Sequence, residues 1–382
     1  MKRKKILLWC SVFVMTLFLC GVGTGNAVVT GECFNCHTMH NSQNGSYYLT
    51  GPHEHLLLSA DGCVGCHSSS SSSTTYTLGS STVPVVNFTG GIEPSAYLSG
   101  GNFYWVAQGG AANDPKGHNV FGIASQDSLI AAGVGAPGDS NGSGCGPGSC
   151  HATLAIDTVT TGTYLAPNGC QGCHLDVQHH TDDTGGANGP NSKYVGSSPW
   201  YRFLVGHQSG PPDGTYGVEG IEHNSWGPSD VSPGSDHHNE YKGETGEGSG
   251  TLVLGFGTMT AFCSGCHGDF HEQQDTGTAG QWTRHPSDLT IPVTGEYASI
   301  NDYNFDTLTP VARTDAAITT LSGTSSGTVS AGSDMVMCLS CHRPHGSKND
   351  DLLRWNYDDM VAGSAGALEN RGCFYCHSTK DD

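Results

Sequence analysis

The chain has 382 residues, of which 36% are hydrophobic and 56 are glycine, so it holds less apolar material than a globular chain of this length usually has. Asp and Glu number 35 against 15 Lys and Arg, which gives a formal net charge of −20. This charge argues against nucleic-acid binding and against adhesion to anionic lipid. It favours basic proteins, metal cations or cationic surfaces as partners, or simple solubility.

Residues 1–27 have the pattern of a secretory signal peptide. A basic cluster is followed by an apolar run from Ile6 to Val22 and by small residues that end at Ala27. We predict cleavage after Ala27 and export to the periplasm, the outer-membrane surface or the extracellular space. An uncleaved anchor is the alternative, although the run is marginal for the roughly 18 residues of a membrane span.

A short cysteine motif recurs along the rest of the chain. Cys33-Phe-Asn-Cys36-His37 is the attachment sequence of a c-type haem, in which two thioethers hold the porphyrin and the histidine is the proximal iron ligand. The spacing occurs six times, and a seventh copy has a wider spacer. The predicted attachment pairs are Cys33/Cys36, Cys63/Cys66, Cys145/Cys150, Cys170/Cys173, Cys263/Cys266, Cys338/Cys341 and Cys373/Cys376. The predicted proximal ligands are His37, His67, His151, His174, His267, His342 and His377.

The cysteine count supports seven haems. Removal of residues 1–27 takes away Cys10 and Cys20, and the sixteen cysteines become two for each motif. Exported proteins ordinarily use cysteines for disulfides, but here each pair is followed at once by a histidine. A local disulfide between Cys145 and Cys150 is the alternative at the wider motif. The predicted cofactors are therefore seven covalent haems c, each with its iron.

The motif spacing predicts the domain organisation. Residues 28–67 and 338–377 each contain two motifs and a histidine three residues after the first motif, so they form two paired-haem modules that flank a middle section. Glycine-rich, aperiodic stretches connect them. We predict one heptahaem domain over residues 28–382. Its fold class is a multihaem cytochrome c, mostly irregular coil with short helices and a few short strands wrapped around a haem chain.

Thirteen of the twenty histidines are not proximal, so a histidine on both faces of every haem is possible. His40 follows His37 too closely to reach the opposite face of the same porphyrin, and we expect it to serve the haem at Cys63/Cys66. By the same reasoning His345 is expected to serve the haem at Cys373/Cys376. The distal candidates are His40, His53, His55, His118, His179, His180, His238, His271, His285 and His345.

Several ligand assignments stay open at this point. The first haem has His53 or His55 nearby, and the middle haems have His118, His179, His180, His238 or His285. The distal ligand of the haem at Cys338/Cys341 must come from a distant part of the sequence, either from His238 or His285 or from a histidine of a second subunit. Methionine ligation would raise the potentials. However, most methionines lie beside attachment cysteines, where core packing is the better interpretation.

The chain resembles the surface multihaem c-type cytochromes with doubled CXXCH motifs, including the OmcS-like cytochromes that form filaments. The resemblance rests on residues 32–42, 116–119, 263–271, 284–286 and 338–345. It implies histidine ligation on both haem faces, little regular secondary structure, and electron export through redox partner proteins to extracellular acceptors. It also implies head-to-tail filaments. The filament-forming relative has six haems, and its N-terminal histidine has no counterpart between Ala27 and His37.

The leading functional prediction is a non-catalytic electron conduit, with no catalytic residue. A soluble periplasmic electron carrier is one alternative. A multihaem reductase is another, and its chemistry needs an iron with an open position, often signalled by a Cys-x-x-Cys-Lys motif that this sequence lacks.

Overall fold

In a computed structural model of the chain, secondary structure is confined to short elements separated by glycine-rich turns. The structure describes residues 29, 31–38, 40–43, 46–47, 62–127, 154–156, 159–161, 164–166, 169–174, 177, 179–180, 201–204, 217–221, 238–244, 247–248, 251–252, 257–264, 266–267, 285–298, 300, 304–314, 326–363 and 371–380. The segment interpreted as a signal peptide lies outside these residues. None of the described helices is long and apolar enough to cross a membrane.

The regular elements are brief because glycine and polar residues interrupt every apolar run. The α-helices are α1 (Gly62–His67), α2 (Met259–Ser264) and α3 (Cys338–Cys341). The strands are β1 (Ser42–Gln43), β2 (Ser46–Tyr47), β3 (Ser68–Ser69), β4 (Thr75–Leu78), β5 (Ser81–Pro84), β6 (Asn87–Phe88), β7 (Val159–Thr161), β8 (Tyr164–Ala166), β9 (Gly220–Ile221), β10 (Glu240–Gly243), β11 (Glu247–Gly248), β12 (Thr251–Leu252), β13 (Leu289–Thr290), β14 (Arg313–Thr314) and β15 (Met335–Val336).

Single 3-10 turns supply the remaining helical structure. They span Cys33–Asn35, Val106–Gln108, Asp114–Lys116, Gly169–Gly172, Tyr201–Phe203, Gly295–Tyr297, Asp350–Leu352, Tyr357–Asp359, Gly372–Tyr375 and Ser378–Lys380. Irregular coil with short helices and short strands is the fold class that the sequence predicts, and the structure confirms it.

The strands form small separate sheets. The largest has three strands in the order β14-β10-β9, with β10 antiparallel to β9 and parallel to β14. Hairpins join β1 to β2, β4 to β5, β7 to β8 and β11 to β12, and two further pairs are β3 with β6 and β13 with β15. Such pairs are too small to be stable alone, so packing between segments must hold them.

Among the described residues, apolar side chains gather in three small clusters, and each has at least one attachment cysteine packed against it. The largest contains Tyr241, Met259 and Met337, with Cys173 and Cys263 packed against it. A second surrounds Ile300 and includes Cys376, and a third surrounds Val106 and includes Cys170. The buried methionines of the largest cluster agree with the packing role predicted for them.

A buried ion-pair network joins the three-stranded sheet to the segment after residue 325. The Arg313 guanidinium donates to Glu240 at 3.2 Å and to Asp334, and it also donates to the carbonyl oxygens of Ser326 and Thr328. The Arg313 side chain is only 3% exposed. Because every donor group faces an acceptor, the cost of burying this charge is offset locally.

The segment around residue 101 docks on the C-terminal module. The Asn102 amide donates to the Gly346 carbonyl at 3.0 Å, and the His345 amide donates to the Gly100 carbonyl at 2.8 Å. Gly101 has a φ of +91°, and a Cβ atom added there would lie 2.1 Å from the Gly346 carbonyl oxygen. The position therefore requires glycine for two reasons, backbone conformation and close approach.

We expect Gly101→Ala to lower the free energy of unfolding by about 2 kcal/mol more than Gly109→Ala, since overpacking adds to the shared cost of a positive φ. Gly109 is the matched control because its φ is +69° and a Cβ atom there meets nothing within 4 Å. Denaturant unfolding followed by circular dichroism measures both variants. Equal losses would show that the close approach to Gly346 has no energetic weight.

Candidate haem-binding sites

Each attachment motif that the structure describes folds as a helical turn. In the motif at Cys263 the backbone amide of His267 donates to the Cys263 carbonyl at 2.9 Å, and His377 bonds Cys373 in the same way at 3.0 Å. Residues spaced by three and four positions share one face of such a turn. Both cysteines and the histidine therefore point to the same side, as a covalently held haem requires.

Cys266 is the second cysteine of the motif at Cys263. It lies beyond the end of the helix, whereas Cys66 and Cys341 lie within theirs. The helix α2 ends at Ser264, and Cys266 follows in a turn, where it is half-buried. Its backbone amide still donates to the Cys263 carbonyl at 3.1 Å, so the helical winding of the motif continues past the end of α2. Cys266 is therefore placed where the motif needs it, and its thioether bond to haem stays a prediction.

The ring nitrogens of the proximal histidines are oriented by hydrogen bonds. With the proton on Nδ1, His67 donates to the Pro84 carbonyl at 3.0 Å and His174 donates to the Arg202 carbonyl at 2.8 Å. The Nδ1 of His342 donates likewise to the Asp351 carbonyl at 2.7 Å. An Nδ1 that is engaged as a donor leaves Nε2 as the free base that binds a metal.

Two histidines outside the motifs are held in the same manner. The Nδ1 of His118 donates to the Pro344 carbonyl at 2.7 Å, and the Nδ1 of His285 donates to the Pro286 carbonyl at 2.9 Å. Orientation through Nδ1 is thus common to proximal and distal rings, which is the arrangement typical of metal-ligating histidines.

Five proximal histidines each face a second histidine across a nearly constant gap. The ring centroids are separated by 6.0–6.2 Å in every pair, while the angle between the ring planes varies from 22° to 84°. The pairs are His37 with His180, His67 with His179, His267 with His118, His174 with His345, and His377 with His285.

This gap fits one iron between two imidazoles. Two metal–nitrogen bonds of about 2 Å and two nitrogen-to-centroid distances of about 1 Å add up to roughly 6 Å. Direct ring contact is much shorter, as the stack of His238 on Phe305 at 3.5 Å shows in the same chain. The donor set also fits, because imidazoles on both faces of the iron give a six-coordinate haem.

Burial favours the neutral imidazoles that can bind a metal. Desolvation lowers the pKa of His118 and of His67, and it lowers the pKa of His345 to about 3, with further lowering by neighbouring histidines. The Nδ1 of His345 is buried and has no hydrogen-bond partner among the described residues. The structure therefore holds these rings in the uncharged form that a haem ligand needs.

The six attachment motifs that the structure describes lie side by side in chain order. The sulfur of Cys170 interacts with that of Cys63, and the sulfur of Cys263 interacts with that of Cys338. Cys173 and Cys263 pack against the same apolar cluster. The other neighbours that interact electrostatically are Cys36 with Cys66 and Cys341 with Cys373. The six predicted haem sites within the described residues are therefore contiguous.

The structure places five of the ten distal candidates opposite a proximal histidine: His118, His179, His180, His285 and His345. Two other distal candidates, His40 and His238, do not face a proximal histidine among the described residues, and His40 is exposed. The remaining candidates lie outside the described residues, as does the wider motif; they are His53, His55, His271, Cys145, Cys150 and His151.

Two expected assignments differ from the structure. The sequence predicts His345 at Cys373/Cys376, but its ring faces His174, because residues 343–347 dock on the segment around residue 101. The sequence predicts His40 at Cys63/Cys66, but the ring opposite His67 belongs to His179. The first motif also differs, since His37 faces His180. Local spacing misleads in each case, because the facing histidine comes from a distant segment.

His238 has an environment unlike that of a ligand. Its ring stacks flat on Phe305, and its two nitrogens lie 3.0 Å from the carbonyl oxygens of Asn239 and Ser326. Both nitrogens are therefore engaged, and neither is available to an iron. The distal role predicted for His238 gains no support from this geometry and stays a prediction.

Sequence reasoning missed Glu296. Its Oε1 lies 3.3 Å from the Nδ1 of His377, and its Oε2 accepts from Lys380 at 3.2 Å. No motif singles out this residue, because it lies far from Cys373 in the sequence and reaches the motif only in the folded chain.

Comparison with known proteins finds three similarities. A family model described as the doubled CXXCH motif matches residues 329–382, a range that contains the last two attachment motifs. The C-type cytochrome OmcS of Geobacter sulfurreducens is 25% identical over 377 residues, covering 85% of this chain and 78% of that protein. Among solved structures, the outer membrane cytochrome S filament from Geobacter sulfurreducens matches with a TM-score of 0.47 and 20% identity, over 93% of this chain and 92% of that one.

The attachment turns, the cysteine pairs and the sequence matches are similar to those of multihaem c-type cytochromes with doubled CXXCH motifs. Over most of its length the chain is similar to OmcS, in agreement with the resemblance found in the sequence.

Proposed function

We propose that the protein is a non-enzymatic electron-transfer cytochrome that conducts electrons through seven c-type haems towards extracellular acceptors. The observation that carries this proposal is the set of five facing histidine pairs at 6.0–6.2 Å. Bound haem would supply the iron that alternates between its ferric and ferrous states. The similarity to OmcS supports the same role.

In this proposal the five facing histidines are the distal ligands. His180 serves the first motif and His179 the second, while His345, His118 and His285 serve the motifs at Cys170, Cys263 and Cys373. The ring separation supports each assignment, because it matches the spacing expected of two imidazoles bound to one iron. The chain's own part is to fix both rings, to keep them neutral, and to set motif next to motif.

The same geometry favours a conduit over a reductase. A reductase needs an iron with a free coordination position for its substrate, whereas two facing imidazoles would hold a bound haem iron from both sides and leave no position free. The proposed partners are redox proteins and extracellular electron acceptors, with export guided by residues 1–27. A soluble periplasmic carrier would use the same haem chain and would differ only in where it delivers electrons.

His118→Gly should open one haem per chain, the one at Cys263 and Cys266, because its distal imidazole is lost. We expect a high-spin signal by resonance Raman spectroscopy, carbon monoxide binding to the reduced protein, and recovery of the low-spin state when imidazole is added. His40→Gly is the matched control and should leave every haem unchanged. A low-spin His118→Gly protein, or an open haem in the control, would overturn the assignment.

The seventh haem rests on the motif Cys145-x-x-x-x-Cys150-His151. We expect pyridine haemochrome titration and intact mass to give seven haems per mature chain, and the double variant Cys145→Ser/Cys150→Ser to give six. Six haems in the parent protein, with Cys145 and Cys150 as thiols or as a disulfide, would contradict the seventh site.

The proposal also includes head-to-tail assembly of the protein into filaments. Among the described residues no histidine ring faces His342, and the two intramolecular candidates named for its haem are engaged elsewhere. His285 faces His377, and His238 is stacked on Phe305. This arrangement supports a distal ligand from a second copy, with His53 or His55 as candidates, and such a contact propagates as a fibre unless it closes into a ring.

We expect electron microscopy of material sheared from cells to show filaments, and the double variant His53→Ala/His55→Ala to abolish them because the linking ligand is lost. The variant His40→Ala is the control and should assemble normally. A native preparation of monomers in which every haem is low-spin would contradict the assembly and leave a soluble carrier.

A further inference from the structure

The last attachment motif differs from the others in what holds its histidine. The Nδ1 of His377 lies 3.3 Å from a carboxylate oxygen, the Oε1 of Glu296. Five other histidines of the candidate sites have a defined Nδ1 contact, and in all five the acceptor is a backbone carbonyl oxygen: His67, His118, His174, His285 and His342. A carboxylate is a much stronger acceptor than a carbonyl oxygen.

Glu296 is held in place by the C-terminal turn Ser378–Lys380. Its Oε2 accepts from the Lys380 ammonium at 3.2 Å and from the Thr379 hydroxyl at 3.1 Å, while the Ser378 hydroxyl donates to its backbone carbonyl at 2.7 Å. The carboxylate is therefore fixed from two sides, and its orientation towards His377 does not depend on that contact alone.

The Glu296 side chain is a carboxylate whose second oxygen accepts from the Lys380 ammonium at 3.2 Å and from the Thr379 hydroxyl at 3.1 Å. An acidic side chain paired with an ammonium group is ordinarily ionised at neutral pH. The His377 ring thus has an anionic acceptor on Nδ1, and the opposite nitrogen is left for the iron.

An anionic acceptor on Nδ1 makes an imidazole a stronger electron donor to its metal, because the shared proton is drawn towards the carboxylate. A stronger donor stabilises the ferric state over the ferrous state and so lowers the reduction potential. The neighbouring motif at Cys338/Cys341 has a neutral acceptor instead of a carboxylate, since the Nδ1 of His342 donates to the Asp351 backbone carbonyl.

We propose that Glu296 is a positioning residue that lowers the reduction potential of the haem at Cys373/Cys376 through its hydrogen bond to His377. The inference rests on the proposed electron-transfer function and adds a potential step between the two haems of the C-terminal module. The haem beside Glu296 is then the harder of the two to reduce.

The angle between the two histidine rings at this haem allows EPR spectroscopy to distinguish it from the others. His377 and His285 are nearly perpendicular, with 84° between their planes, whereas the rings at the first two motifs lie within 24° of parallel. Perpendicular axial imidazoles give a low-spin ferric EPR signal with a large maximal g value, and near-parallel ones give a rhombic signal. Loss of the large-g signal on reduction therefore follows this haem more selectively than total absorbance does.

The test is an EPR-monitored redox titration of the holoprotein and of Glu296→Gln, which keeps the size and an acceptor oxygen but removes the charge. We expect the large-g signal to titrate at a higher potential, with at least a tenfold change in its ferric-to-ferrous ratio at fixed potential, equivalent to about 59 mV for a one-electron couple. Lys380→Gln is the matched control, because it removes another contact of the same carboxylate and leaves His377 paired.

A merely structural role predicts the same behaviour for Glu296→Gln and Lys380→Gln, so equal potentials in the two variants would overturn the proposal. Glu296→Asp keeps the charge and should shift the potential less than Glu296→Gln, which gives a second comparison if the amide variant loses haem. An open, high-spin haem in the parent protein would instead refute the proposed function, so the two failures are distinguishable.

Discussion

The spacing of the facing histidine pairs is the constraint on which the rest of the structure depends. Each pair joins segments that are distant in sequence, as His174 and His345 do across most of the middle section. An iron between two such rings would act as a cross-link, and metal binding of this kind contributes directly to folding. A chain with 36% hydrophobic residues and 56 glycines has little else of comparable strength. Its three small apolar clusters, which all include attachment cysteines, are therefore best understood as packing around these cross-links.

That constraint also explains why the protein tolerates so little regular secondary structure. A helix or sheet normally satisfies its backbone internally and buries one apolar face. Here backbone carbonyls are recruited to orient histidine rings, as Pro344 and Pro286 do for His118 and His285. Segments outside helices and strands offer such carbonyls freely, because they are not committed to a helical or sheet ladder. Irregular coil is thus suited to the purpose, and the attachment motifs use helical turns because they need a spacing of three and four residues.

The sequence predicts one half of each site and not the other. The cysteines and proximal histidines follow from local spacing, because one helical turn brings them to one face. The distal histidines follow from docking between segments, and spacing carries no information about that. His345 illustrates the difference: its position beside Cys341 suggests a neighbouring haem, but the contact of Gly346 with Asn102 carries it to His174. His238 is a reasonable candidate from the histidine count, whereas its stack on Phe305 and the contacts of its two ring nitrogens are visible only in the folded chain.

The hydrogen bonds behind the ligands are harder still to predict, and they differ in strength. The Nδ1 of His345 has no partner among the described residues, the Nδ1 of His342 has a backbone carbonyl, and the Nδ1 of His377 has the Glu296 carboxylate. Electron donation by the imidazole rises in that order. Every residue has a backbone carbonyl, so a hydrogen bond such as that of His342 cannot be recognised in a sequence. The hydrogen bond of His377 depends instead on a single side chain, that of Glu296. A row of chemically identical haems can thus acquire different potentials from the chain alone, and a change at one acidic residue would alter one step without disturbing the attachment of any haem.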